Sequence, residues 1–188
     1  MKQLITLTFF LLSFNLFAQK DCEYTVNVTD SIGTYKSTKE TMISEKNFAG
    51  TASYIFFSLA QTDGLPTLNV QLIKKSKEFT AANCFDKNSK LFLQLSNGKI
   101  VTLIHIDQEN CGTLIRDDKG FDNRVTPGIF MFLKDNFEDL KTSPISMIRI
   151  KYLSDTEDYV MKKEFTSELN DKTYRPETFF IDNIRCVE

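Results

Sequence analysis

The stretch "CFDKNSKLFLQLSNGKIVTLIHIDQENC" (residues 84–111) decides how the chain is read, and it contains the single histidine, His105. At its centre sits the dipeptide Asn97-Gly98, with Cys84 and Cys111 equally far from it on either side. Asn-Gly between alternating apolar arms signals a hairpin, because both residues accept the positive φ of a two-residue turn. In that register Leu91, Leu93 and Leu95 share a face with Ile100, Thr102 and Ile104, which reads as core. Phe92, Gln94, Val101, Leu103 and His105 fall on the other, half-apolar face. Carried outward, the register sets Cys84 opposite Cys111 as a hydrogen-bonded pair, about 5.5 Å apart at Cα, which suits a disulfide.

The remaining cysteines, Cys22 and Cys186, lie near the two ends of the mature chain. Four cysteines allow three pairings, and termini often lie close together. The sequence therefore favours Cys84–Cys111 with Cys22–Cys186. Exported proteins are where disulfides persist, and the opening "MKQLITLTFFLLSFNLFAQKDC" has the layout of a secretory leader. Lys2 supplies the positive start, residues 5–17 the apolar run, and Ala18 the small residue at the cut. The run is too short for a membrane span, which needs about 20 residues. Lys20-Asp21 before Cys22 does not fit lipoprotein processing. The expectation is a signal peptide over residues 1–18 and a single exported β-rich domain over residues 19–188.

Loss of Lys2 leaves 22 basic against 25 acidic residues and a net charge of −3. The charges are interspersed, with "IKKSK" and "MKKEF" as brief basic runs that read as solvated strand faces. Such a surface does not neutralise phosphates, so nucleic acid is not an expected partner.

Most other segments read as strand. "EYTVNV" alternates, with Tyr24, Val26 and Val28 on one face, and "TYKSTKETMISEK" leans to extended structure. "ASYIFFSLAQ" and "TLNVQLIKK" flank Asp63-Gly64 as a second hairpin. "GIFMFL" is a continuous apolar run of the kind covered on both sides. Asp135 or Asn136 can cap a short helix, with Glu138 and Asp139 in its first turn and Pro144 marking its end. "ISMIRIKYL" and "EDYVMKKEF" form a further pair. "PETFFIDNIRCVE" carries Phe180, Ile181, Ile184 and Val187 on one helical stripe. The fold class expected is mainly β, leaning to α+β: antiparallel sheets in a β-sandwich-like arrangement with one or two short helices.

"KLFLQLSNGKIVTL", "DNFEDLKTSPISMIRIKY", "DYV" and the terminal "NIRC", with the leader ending "FAQ", resemble uncharacterised secreted proteins of Bacteroidetes, of flavobacterial type. The resemblance spans roughly the whole mature chain. It implies an exported envelope or extracellular location, and it carries no catalytic residue across.

His105 is where chemistry is sought first. One histidine cannot supply a two-histidine zinc site, and the cysteines are committed to disulfides. Asp107 points to the same face and allows a carboxylate–imidazole pair, while Lys90 across the ladder disfavours an imidazolium. A catalytic site needs nucleophile, base and orienting group together, so His105 reads as a half-buried strand residue. The chain has no G-x-S-x-G elbow, glycine-rich phosphate loop or H-E-x-x-H, and no cofactor is expected. "RDDKGFDN" offers Asp117, Asp118, Asp122 and Asn123 as calcium candidates; their spacing is not that of an EF-hand, and a solvated loop fits the charges better. Asp30-Ser31-Ile32 is similar to a short O-glycosylation motif of Bacteroidetes, and an ordinary turn is the plainer reading. The function expected is a non-enzymatic binding or structural domain of the cell envelope, its partner an envelope protein or a glycan. The alternative is a small secreted hydrolase using carboxylates or His105.

Overall fold

The computed structural model describes residues 21–133 and 137–188; the expected leader and the helix caps at Asp135 and Asn136 lie outside these. Eleven strands form one antiparallel sheet. They are β1 (Tyr24–Thr29), β2 (Thr34–Thr38), β3 (Thr41–Phe48), β4 (Thr51–Thr62), β5 (Leu65–Ser76), β6 (Lys90–Leu95), β7 (Ile100–His105), β8 (Thr113–Arg116), β9 (Asp122–Phe132), β10 (Ile145–Lys151) and β11 (Thr156–Val160). Hydrogen-bonded neighbours run β1-β2-β4-β5-β9-β7-β6-β10-β11, with β3 also on β4 and β8 also on β9. A two-stranded ribbon, β12 (Phe165–Thr166) and β13 (Thr173–Tyr174), stands apart. Helix α1 spans Phe137–Thr142, and α2, Phe179–Asn183, sits between 3₁₀ turns at Pro176–Thr178 and Ile184–Val187. The architecture is the expected β-sandwich-like one, with two short helices.

The core lies on one face of the large sheet. Leu68, Val70 and Leu72 of β5, Leu91, Leu93 and Leu95 of β6 and Ile148 and Ile150 of β10 all enter it. The C-terminal helical segment closes it, with Phe57 against Phe179 and Phe180 at ring separations of 5.7 and 6.4 Å. The stripe expected there is buried at Phe180, Ile184 and Val187, but Phe179 is buried too and Ile181 only in part. The short helix repeats for little more than one turn before tightening to 3₁₀.

Asp63-Gly64 forms the expected two-residue turn, with Thr62 paired to Leu65 and both turn residues at positive φ. Asn97-Gly98 does not. Leu91 faces Leu103 and Leu93 faces Val101, one residue away from the expected register. Leu95 N–H donates to Lys99 O at 2.8 Å and Gly98 N–H to Leu95 O at 3.0 Å. The loop is therefore three residues long, a turn ending in a left-handed glycine at φ +86°, the common three-residue form. Tertiary contacts hold it so: Ser96 N–H donates to Pro144 O, and Asn97 N–H to Ser143 Oγ.

A slip of one residue exchanges the faces of a strand. On β7 it is Val101, Leu103 and His105 that are buried, and Ile100, expected in the core, is 60% exposed. The disulfide expectation nevertheless holds, because the five residues 105–109 lie opposite the four of the turn at residues 86–89 and the extra one restores the offset. Phe85 and Asn110 exchange both backbone hydrogen bonds at 2.9 Å. Cys84 and Cys111 are thus the next, non-hydrogen-bonded pair, 4.0 Å apart at Cα, rather than the hydrogen-bonded pair expected. Cys22 joins Cys186.

Two further expectations change. "GIFMFL" is covered on one side, since Ile129 is exposed and Met131 half-buried beside the buried Phe130. A bulge between Tyr24 and Val26 separates Tyr24 from the face it was expected to share with Val26 and Val28, and its hydroxyl donates to Cys186 O at 2.8 Å. Asp30 accepts the N–H groups of Ile32 and Gly33, so Asp30-Ser31-Ile32 forms the side-chain-capped tip of the β1–β2 hairpin.

Two outcomes check this account. Leu103→Ala is expected to cost about 2–5 kcal/mol and Ile100→Thr less than about 1 kcal/mol, read by urea unfolding; the reverse order would restore the two-residue register. Replacing Cys84 and Cys111 together by serine opens a loop worth about 3.5 kcal/mol in the chain-entropy model. A fall in Tm of roughly 7–14 °C is expected.

Candidate functional site

His105 closes β7 on the core side and is 4% exposed. Its Nδ1 donates to Asp86 O at 3.0 Å, and its ring stacks on Phe85 at 5.4 Å and meets Phe130 edge-on at 5.3 Å. The half-buried placement expected for it gives way to full burial, for the register reason above. Lys90 lies opposite Ile104 instead, and Asp107 is an exposed residue whose carboxylate accepts Gln108 N–H. No carboxylate hydrogen-bonds the imidazole, and Nε2 is buried without a partner among the described residues. Burial holds the imidazole below its ordinary range, against the Asp86 carbonyl and the charges of Asp107 and Asp86.

The turn beneath it is closed by Asp86. Its carboxylate accepts Asn88 N–H, Asn88 Nδ2 and Ser89 Oγ. Burial works against that charge, yet these hydrogen bonds outweigh it and hold the carboxyl below its usual range.

A second cluster escaped sequence reading. Glu157 and Tyr159 alternate with Asp158 on β11, so they share a face. Tyr159 Oη donates to Glu157 Oε2, while Asn83 Nδ2 at 2.8 Å and Lys74 Nζ at 3.4 Å reach Oε1. Tyr152 Oη lies 3.5 Å from Tyr159 Oη. Burial opposes the Glu157 charge, but Tyr159, Asn83 and Lys74 together keep it ionised and below its usual range. Desolvation pushes Tyr152 up to about 12 and raises Tyr159 further, with Tyr152 and Glu157 adding to it. Both tyrosines stay protonated donors, and both Glu157 oxygens already accept hydrogen bonds. The i, i+2 spacing was legible; the contributions of Asn83 and Lys74, about 75 and 80 positions away, were not. A cleft of about 390 Å³ beside this cluster is lined by Lys46, Lys74, Glu78, Phe79, Glu157 and Tyr159 among others.

The calcium candidates are engaged differently. Asp117 pairs with Lys75 at 2.7 Å and accepts the N–H groups of Lys119 and Phe121, the Lys75 contact leading in holding its carboxyl far below the usual range. Asp122 lies 4.0 Å from Arg116, Asn123 donates to Ile115 O and Phe121 O, and Asp118 is exposed. Among the described residues no group of three or more His, Cys, Asp or Glu is arranged to hold a metal. The "IKKSK" run is not simply solvated: Lys74 and Lys75, on opposite faces of β5, meet Glu157 and Asp117.

An accessible, mostly apolar feature lies on the outer face of the sheet. A groove of about 630 Å³ crosses from β1 to β9, with Val26, Tyr35, Pro127 and Ile129 along it. Asn69 and Gln71 of β5 lie on its floor, half-buried, and neither side chain hydrogen-bonds another described residue. Lys39 and Glu40, one of each sign, are its charged lining residues.

Comparison of the chain with protein families, with curated proteins and with solved structures finds no match. Among the described residues, no helix is long and apolar enough to cross a membrane.

The buried neutral imidazole makes stability depend on pH. The unfolded chain protonates His105 near 6.5 while the folded state resists, so its contribution is complete above that pH and falls on acidification below it. His105→Phe, which keeps an aromatic ring in the cluster, should shrink the drop in Tm between about pH 7 and about pH 5.5. Equal slopes would place the acid sensitivity elsewhere.

Proposed function

We propose that the protein is a non-enzymatic binding domain, exported to the cell envelope or beyond, whose outer-face groove seats an extended polypeptide segment. The observation that carries this reading is the pair of half-buried amides, Asn69 and Gln71, on the floor of the groove, whose side chains have no hydrogen-bond partner among the described residues. Neither amide is among the fully buried unpartnered groups, so both are open to the groove, and a peptide backbone laid along the floor supplies donors and acceptors to them in place of water. The aliphatic walls match alternate apolar side chains, and the balanced charge of the rim does not select for a polyanion. Glycan, the other partner class expected, is less well matched, because Tyr35 is the one aromatic side chain of the groove. Export agrees with the two disulfides, which persist in oxidising compartments.

A hydrolase has less support. General acid–base work needs a group that can exchange a proton with substrate. His105 is enclosed by Phe85 and Phe130, and Glu157 is kept ionised by three donors.

The test is crosslinking capture from the protein's own cell envelope, with wild type, His105→Phe and Ile129→Asp in parallel. A polypeptide held by the first two and reduced at least about tenfold by the charge in the groove is the expected result. Equal capture by Ile129→Asp would remove the groove from the binding surface. Recovery of a glycan alone would replace the peptide reading.

A further inference from the structure

The large sheet ends in strands with one neighbour each, and three of the four are protected by charge. β11 carries Glu157 and Asp158, β3 carries Glu45 and Lys46, and β8 is four residues long and ends in Arg116. Edge strands left free of charge and proline are templates for a further strand. β1 is such an edge: Tyr24-Thr25-Val26-Asn27-Val28-Thr29 has no charged residue and no proline, pairs among the described residues only with β2, and is exposed from Thr25 onward.

The hairpin geometry shows which backbone groups of β1 are open. Asp30 N–H donates to Gly33 O at 3.0 Å, so bonded pairs with β2 alternate inward from there through Val28–Tyr35 and Val26–Ser37. Asn27 and Thr29 therefore turn their N–H and C=O away from β2, toward the open edge. Val26 and Val28, 38% and 47% exposed, lie on the face shared with Tyr35.

We infer that β1 pairs antiparallel with β1 of a second copy of this chain, about a two-fold axis at Asn27. A two-fold axis in an antiparallel ladder passes through a residue facing its own equivalent, and Asn27 is the central residue whose backbone points outward. In this register each Asn27 exchanges two backbone hydrogen bonds with its counterpart, Thr29 faces Thr25, and Val26 faces Val28. The lack of charge selects the second copy: a charged edge strand would set like charges together on self-pairing, and β1 sets none. The interface is isologous and small, so association is weak and concentration-dependent. This inference stands whatever fills the groove, because it uses the strand edge rather than the sheet face.

The experiment is sedimentation velocity of the disulfide-bonded protein over roughly a hundredfold range of concentration, up to about 0.2 mM. Wild type should pass from monomer toward dimer across that range. Asn27→Pro removes an N–H that the β1–β2 hairpin does not use, and proline is tolerated at such edge positions. It should keep the wild-type Tm and weaken dimerisation at least about tenfold. Should that variant fold poorly, Asn27→Lys makes the same test by placing like charges at the axis. Asn27→Cys should form an intermolecular disulfide under mild oxidation. A wild type monomeric throughout overturns the inference, including the case where β1 takes only a foreign strand. So does a well-folded variant that dimerises like wild type.

Discussion

A Cβ at Gly128 would stand 2.7 Å from the Phe85 ring, so that aromatic can lie against β9 only because position 128 has no side chain. Around it the rings of His105, Phe130 and Tyr152 pack at 5.3–5.4 Å. Phe85 is held there by its two backbone bonds to Asn110, and by Cys84, which is disulfide-linked to Cys111 and accepts Leu153 N–H through its carbonyl. Three chain segments distant in sequence are thereby fixed to one ring. The disulfide limits how far Phe85 can travel in the unfolded chain, and the missing side chain gives it a place to go.

That contact orders the two faces of the sheet. On the inner side it shuts the histidine into an aromatic cage, where a charged imidazole is unfavourable. On the outer side β9 presents Pro127 and Ile129 to the groove, because Gly128 and Phe130 take the inward positions. His105 is held within the fold and Glu157 is half-buried among its donors, while neutral amides and aliphatic side chains line the groove. A groove of that composition offers shape and hydrogen-bonding groups to a ligand, which is the basis of the proposed binding role.

The central hairpin shows how far the sequence could be followed. Its two arms and the pairing of its cysteines were legible from alternation and spacing. The face of β7 was not, because Asn97-Gly98 is compatible with a two-residue or a three-residue loop. The choice lies with Pro144 and Ser143, more than 40 residues away. The Glu157–Tyr159 network was hidden for a related reason. Alternation places its two β11 members on one face, but no local pattern brings Lys74 and Asn83 to them.

Composition and periodicity alone determined that the chain is mainly β and where most strands lie. These follow from local preferences and from the two-residue period of a strand, which are properties of neighbouring residues. The tertiary structure decided which side of each strand meets the core, and hence that His105 is enclosed while Ile129 is open. Among the described residues it also left the Asn69 and Gln71 side chains without hydrogen-bond partners in the groove and β1 without a second neighbour. Those outcomes depend on which distant segments compete for the same surface. A one-residue difference in a turn, or one absent Cβ, settles that competition through steric fit that no local pattern encodes.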